Sequence, residues 1–70
     1  MSYPVAKVIE IVGSSPDGWP EAADAAVRTA GKTIDHITGV QVAGMTASVE
    51  DGRIGAYKTT VKIAFGVKAD

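Results

Sequence analysis

The sequence predicts an α+β fold in β-α-β-β order, with one helix lying on a three-stranded sheet. Three observations predict it. The run Val8-Ile9-Glu10-Ile11-Val12 is rich in branched residues and breaks at Gly13. A single stretch of helical periodicity follows Ser14-Ser15-Pro16. Two long β segments, joined at Asp51-Gly52, then occupy the rest of the 70 residues. One helix covers only one face of such a sheet. The other face must be polar or must meet another chain. Its residues are too apolar to be left bare, so the sequence predicts the subunit of an assembly.

The first strand is expected from Val5 to Val12. One of its faces carries Val5, Lys7, Ile9 and Ile11, the other Ala6, Val8, Glu10 and Val12. Gly13 to Gly18 is expected to be a loop, and its small residues before a helix are those of a strand-to-helix turn. They could also hold an anion, but a P-loop's lysine and spacing are absent. Asp17 is the expected N-cap, and Pro20 suits the first helical turn, where a missing N–H costs nothing. Trp19, Ala23, Ala26, Val27, Ala30 and Ile34 form one apolar stripe. The helix is expected to run for about 17 residues, near 25 Å at ~1.5 Å per residue. Asp24 and Arg28 are spaced to pair, and Gly31 weakens the helix interior. Trp19 opens the stripe, which favours an anchoring role over a ligand platform.

Val40 to Glu50 forms the second expected strand, with a bulge or bend at Gly44. Arg53 to Val67 forms the third. Its odd-numbered residues Tyr57, Val61, Ile63, Phe65 and Val67 are expected to meet the helix, and Lys58, Thr60 and Lys62 to face away. Strands this long exceed what the helix can cover, so their ends are expected to pack on neighbouring chains.

Composition narrows the function. A chain of 70 residues is one small domain, spanning 1–70, and such a domain is marginal unless something adds burial. It has no cysteine, hence no disulfide or thiolate-bound metal. No apolar run is long enough to span a membrane, and no secretory signal is visible, so a cytoplasmic protein is expected. Acids and bases are mixed, with a net charge of -1 and no basic stripe for nucleic acid. One histidine, His36, without cysteine supports no nucleophilic catalytic set, and no carboxylate pair has acid-base spacing; an enzyme is not expected. His36 is expected at the surface near the helix end. The carboxylates are Glu10, Asp17, Glu21, Asp24, Asp35, Glu50, Asp51 and Asp70, and none forms an EF-hand loop. Glu10 stands among apolar strand residues, where a symmetry axis could gather several copies around an ion.

The run Lys7-Val8-Ile9-Glu10-Ile11-Val12-Gly13-Ser14-Ser15-Pro16-Asp17-Gly18 resembles the opening of the dodecins, and the likeness extends through the helix, the Asp51-Gly52 hairpin and the Tyr57 to Phe65 segment. The resemblance implies a three-stranded antiparallel sheet partly wrapping one helix, assembled as a hollow homododecamer. It also implies storage or sequestration of flavins (FMN or riboflavin) rather than catalysis. Flavin-binding dodecins stack a tryptophan on the isoalloxazine and hydrogen-bond its edge with a glutamine. Aligning on the hairpin and Phe65 places those ligand-binding positions at Gly39 and Lys58. Glycine offers no π face, and lysine cannot both donate and accept as an amide does. The usual flavin pocket is therefore degenerate here. The sequence is more similar to a second, calcium-binding branch, which also lacks the stacking tryptophan, has a basic residue at the Lys58 position and an acid at Asp35. Asp35 is a candidate metal residue by that resemblance, and Glu10 is the other by its place among apolar strand residues. Three functions remain open at this level: a shell that binds or buffers a small ligand or ion such as calcium, a flavin carrier with non-standard pocket residues, and a structural oligomer without a ligand.

Overall fold

A computed structural model of the chain describes residues 4–67. The elements run β1 (Val5–Ser15), α1 (Trp19–Ala30), β2 (Ile37–Glu50) and β3 (Arg53–Val67). The sheet is antiparallel throughout, in the order β1-β3-β2. The strand that comes last in the chain is thus the central one, and the expected β-α-β-β fold is present.

The β2–β3 turn follows from local chemistry. Asp51 and Gly52 both have positive φ, 52° and 74°, as a two-residue hairpin loop with the right twist requires. β3 has its expected bounds. β2 begins earlier than Val40, at Ile37, and shifts register between Val42 and Gly44, where the bulge was expected. Two further shifts lie between Ile37 and Gly39 and between Ser48 and Val49.

Three local expectations are corrected. β1 does not end at Val12. It pairs with β3 as far as Ser15 opposite Tyr57, so Gly13 to Ser15 are strand, not loop. The N-cap is Gly18, not Asp17; the Asp17 N–H is instead held by the Ser15 hydroxyl at 3.1 Å, in a turn that needs only a hydroxyl two residues back. The helix is 12 residues long rather than about 17, and Gly31 is its C-cap rather than an interior residue. Ile34 lies beyond the helix but still packs on the core.

The core lies between α1 and the β1–β3 half of the sheet. Ala22, Ala26 and Ala30 form the buried helix row, with Ala22 an addition to the expected stripe. Thr59, Val61 and Ile63 are buried below it, on the odd-numbered face as expected. Alanine on the helix permits close approach, and Gly13 marks the point of closest contact. A Cβ built there would lie 2.0 Å from the Ala22 carbonyl oxygen and 2.9 Å from the Ala26 Cβ, so only glycine fits.

The helix lies over β1 and β3 and scarcely touches β2. At ~1.5 Å per residue it is about 18 Å long, whereas strands of this length reach about 45–50 Å at ~3.3 Å per residue. The molecule measures 54 × 19 × 14 Å. Its radius of gyration, 14.2 Å, exceeds the ~11 Å of a compact chain of this length. A fold this elongated leaves much of its sheet without an intramolecular cover.

Candidate functional site

Residues opposite each other in a ladder share a face of the sheet. Ile9, Ile63 and Val40 form one row beneath the helix side; the row one residue along, through Ala64, belongs to the far face. Gly39 stands opposite Ala64 in that row. Lys58 lies between Ser14 and Thr46, and Lys62 between Glu10 and Gln41, also on the far face. The two positions matched to flavin contacts, Gly39 and Lys58, therefore share a face. They do not share a pocket within one chain: six residues of β3 separate their rows, about 20 Å at ~3.3 Å per residue. Position 39 is open, since a Cβ there meets nothing within 4 Å.

Far-face valines are the other feature of this surface. Val8 and Val12 flank Glu10 along β1 and are 60% and 61% exposed. Asp35 is exposed in the segment that leaves the helix. The next residue, His36, has φ 64° and accepts a hydrogen bond through its carbonyl from the Gly66 N–H at 2.8 Å. Asp35 thus sits at the end of β3, while Glu10 is four rows inward, about 13 Å along the strand at ~3.3 Å per residue. One chain does not bring the two together. No group of three or more His, Cys, Asp or Glu gathers among the described residues. Calcium requires six to eight oxygen ligands. Asp35 and Glu10 offer hard carboxylate oxygens open to solvent, and neither alone supplies that number.

The remaining carboxylates have local settings. Asp24 pairs with Arg28 at 2.9 Å on the exposed helix face, as its spacing predicts. Glu21 leans over Gly18, Asp51 forms the hairpin, and Asp70 lies outside the described residues.

Trp19 is half-buried and tied to the sheet rather than sunk in the core. Its Nε1–H donates to the Thr46 carbonyl at 2.8 Å, its own carbonyl accepts from the Thr59 hydroxyl at 2.9 Å, and its ring meets Tyr57 edge-on at 4.7 Å. The apolar stripe signalled its position; nothing local signalled Thr46 and Thr59, which bulge and topology bring to it. Beside it opens an apolar groove of about 350 Å³ lined by Trp19, Pro20, Ala23, Val42, Met45 and Thr59. A second groove of about 360 Å³ lies along β1 and the other flank of the helix, between Ile11 and Thr29.

Comparison with known proteins agrees with this architecture. The sequence model of the dodecin family matches residues 5–68. The calcium dodecin of Mycobacterium tuberculosis is 31% identical over 64 residues, covering 91% of this chain and 90% of that protein. The structure of dodecin from Streptomyces coelicolor superposes over the whole of both chains with a TM-score of 0.92 at 30% identity. The crystal structure of the M. tuberculosis calcium dodecin, described as calcium chelating with a novel calcium-binding site, has a TM-score of 0.80 at 33% identity, covering 94% of each chain.

Proposed function

The chain belongs to the dodecin family, and from that premise we propose that it is a non-enzymatic subunit of a cytoplasmic homododecameric shell that binds and buffers calcium or another small ligand, with a degenerate flavin pocket. The observation that carries this reading is the far face of the sheet. It is apolar at Val8 and Val12, and the positions matched to flavin contacts, Gly39 and Lys58, lie on it some 20 Å apart at ~3.3 Å per residue, so that contact between copies would be needed to join them in one pocket. Closed symmetry would cover the valines and pair the open edges of β1 and β2, which otherwise invite aggregation. The similarity to a calcium dodecin supports calcium as the ion, with Asp35 or Glu10 repeated around a symmetry axis to reach the required oxygen count. The open glycine at position 39 supports loss of flavin stacking.

Light scattering together with calorimetry of metal-stripped protein tests the reading. A particle of many subunits, calcium binding and flavin affinity weaker than micromolar are expected. A stable monomer, or submicromolar FMN binding by the parent chain, would overturn it. Because position 39 is unobstructed, Gly39→Trp with Lys58→Gln should raise FMN affinity at least tenfold, about 1.4 kcal/mol, read by fluorescence quenching.

A further inference from the structure

The geometry points to an oxoanion-binding row on the far face of the sheet, formed by the hydroxyls of Ser14 and Thr46 on either side of the Lys58 ammonium. Two lysines on this face stand in different cross-strand settings. Lys58 and Lys62 project from the same face of the central strand, about 13 Å apart at ~3.3 Å per residue. Lys62 lies between Glu10 and Gln41, so a carboxylate stands at its cross-strand position, without an ion pair within 4 Å among the described residues. Lys58 lies between Ser14 and Thr46, and has no ion-pair partner among the described residues. All three residues of the Lys58 row are exposed. The next row inward is Val12, Thr60 and Gly44, which adds a third hydroxyl and no acid. At Gly44 a Cβ would meet nothing within 4 Å, so that flank is sterically open.

The row therefore offers one fixed positive charge and neighbouring hydroxyl donors, with its nearest far-face carboxylate, Glu10, two rows beyond Thr60's neighbours and already opposite Lys62. Opposed residues in adjacent strands are about 5 Å apart, so an anion resting over Lys58 has a hydroxyl donor within reach on its flank. Ammonium hydrogen bonds to an oxyanion are shorter and stronger than neutral ones, and hydroxyls complete the remaining oxygens. The matching ligand is a tetrahedral oxoanion, either free phosphate or the phosphate of a nucleotide. The row belongs to one chain and does not depend on calcium.

Calorimetry at constant ionic strength, in calcium-free buffer, tests the assignment with inorganic phosphate, a nucleoside monophosphate and the parent nucleoside. Phosphate should bind the intact protein. Lys58→Gln should weaken it at least tenfold and Lys58→Arg should keep it. Ser14→Ala with Thr46→Val should weaken it several-fold, and Lys62→Gln should leave it within twofold. Tighter binding of the nucleoside monophosphate than of phosphate would identify the nucleotide as the source; equal binding would identify free phosphate. The row is excluded if Lys58→Gln changes nothing, if Lys62→Gln weakens phosphate as much, or if the nucleoside binds as well as its monophosphate. Light scattering and the calcium titration on the same variants read the shell and its ion separately, so failure of the proposed function is distinguishable from failure of the row.

Discussion

The two faces of the sheet are built from the same kinds of residue and have opposite fates. Beneath the helix, Val61 and Ile63 are wholly buried, each contributing roughly 1.5–3 kcal/mol. On the far face Val8 and Val12 remain more than half exposed. Part of the helix side shares that fate: Val40, Val42 and Met45 on β2 are half exposed or more, because the helix lies over β1 and β3 and leaves β2 to its side. The difference shows where the stability of the single chain ends. One short helix supports β1 and β3; the apolar surface beyond it has a use only in contact with something else.

The covered side is the more sensitive to substitution. Gly13→Val places a side chain against the Ala22 carbonyl, backbone that cannot yield, and should cost about 3 kcal/mol or more or prevent folding. A thermal melt unchanged from the parent would show that the helix is not seated there. Trp19→Ala comes next. The ring is half-buried, so the loss should be about 2–3 kcal/mol, below that of a fully buried tryptophan, and includes the hydrogen bond to Thr46. Denaturant unfolding measures it, and an unchanged midpoint would assign the helix anchor elsewhere.

The bare face gives the smallest effect on the fold of the chain. Val12→Lys should alter secondary structure not at all and intrinsic stability by less than about 0.5 kcal/mol, since exposed positions rarely cost more. Particle size by light scattering should nevertheless fall, because the charge would be buried between copies. An unchanged particle would mean that this face looks into solvent or an internal cavity.

Much of the fold was legible because its signals are local. Asp51-Gly52 names its own turn, the alternation of Tyr57 to Val67 names the covered face, and Asp24 finds Arg28 one helical turn away. The misreadings concern distant partners. Gly13 reads as a strand break, yet it is strand because Thr59 lies opposite and glycine because Ala22 lies above. Gly31 reads as a flaw within a helix when it is the helix's end. Position 36 takes a left-handed backbone without being glycine, so periodicity placed the start of β2 three residues late. As for the site, the resemblance is what matches Gly39 and Lys58 to flavin contacts. The sequence carries no signal that Gly39 and Lys58 stand so far apart, since that follows from register.

The central position of the last strand sets an order of events as the chain folds. Glu50 meets Arg53 across a two-residue turn, a closure that is fast and entropically cheap. Val5 meets Val67, nearly the full length of the chain away. During synthesis β1 has no partner until residues 57–67 exist, and in refolding it must search the widest loop before it is rewarded. The β2–β3 hairpin therefore forms early and waits with one edge of β3 unpaired. For that interval the chain is most prone to pair with the wrong copy of itself, and fast docking of β1 with its attached helix protects against it.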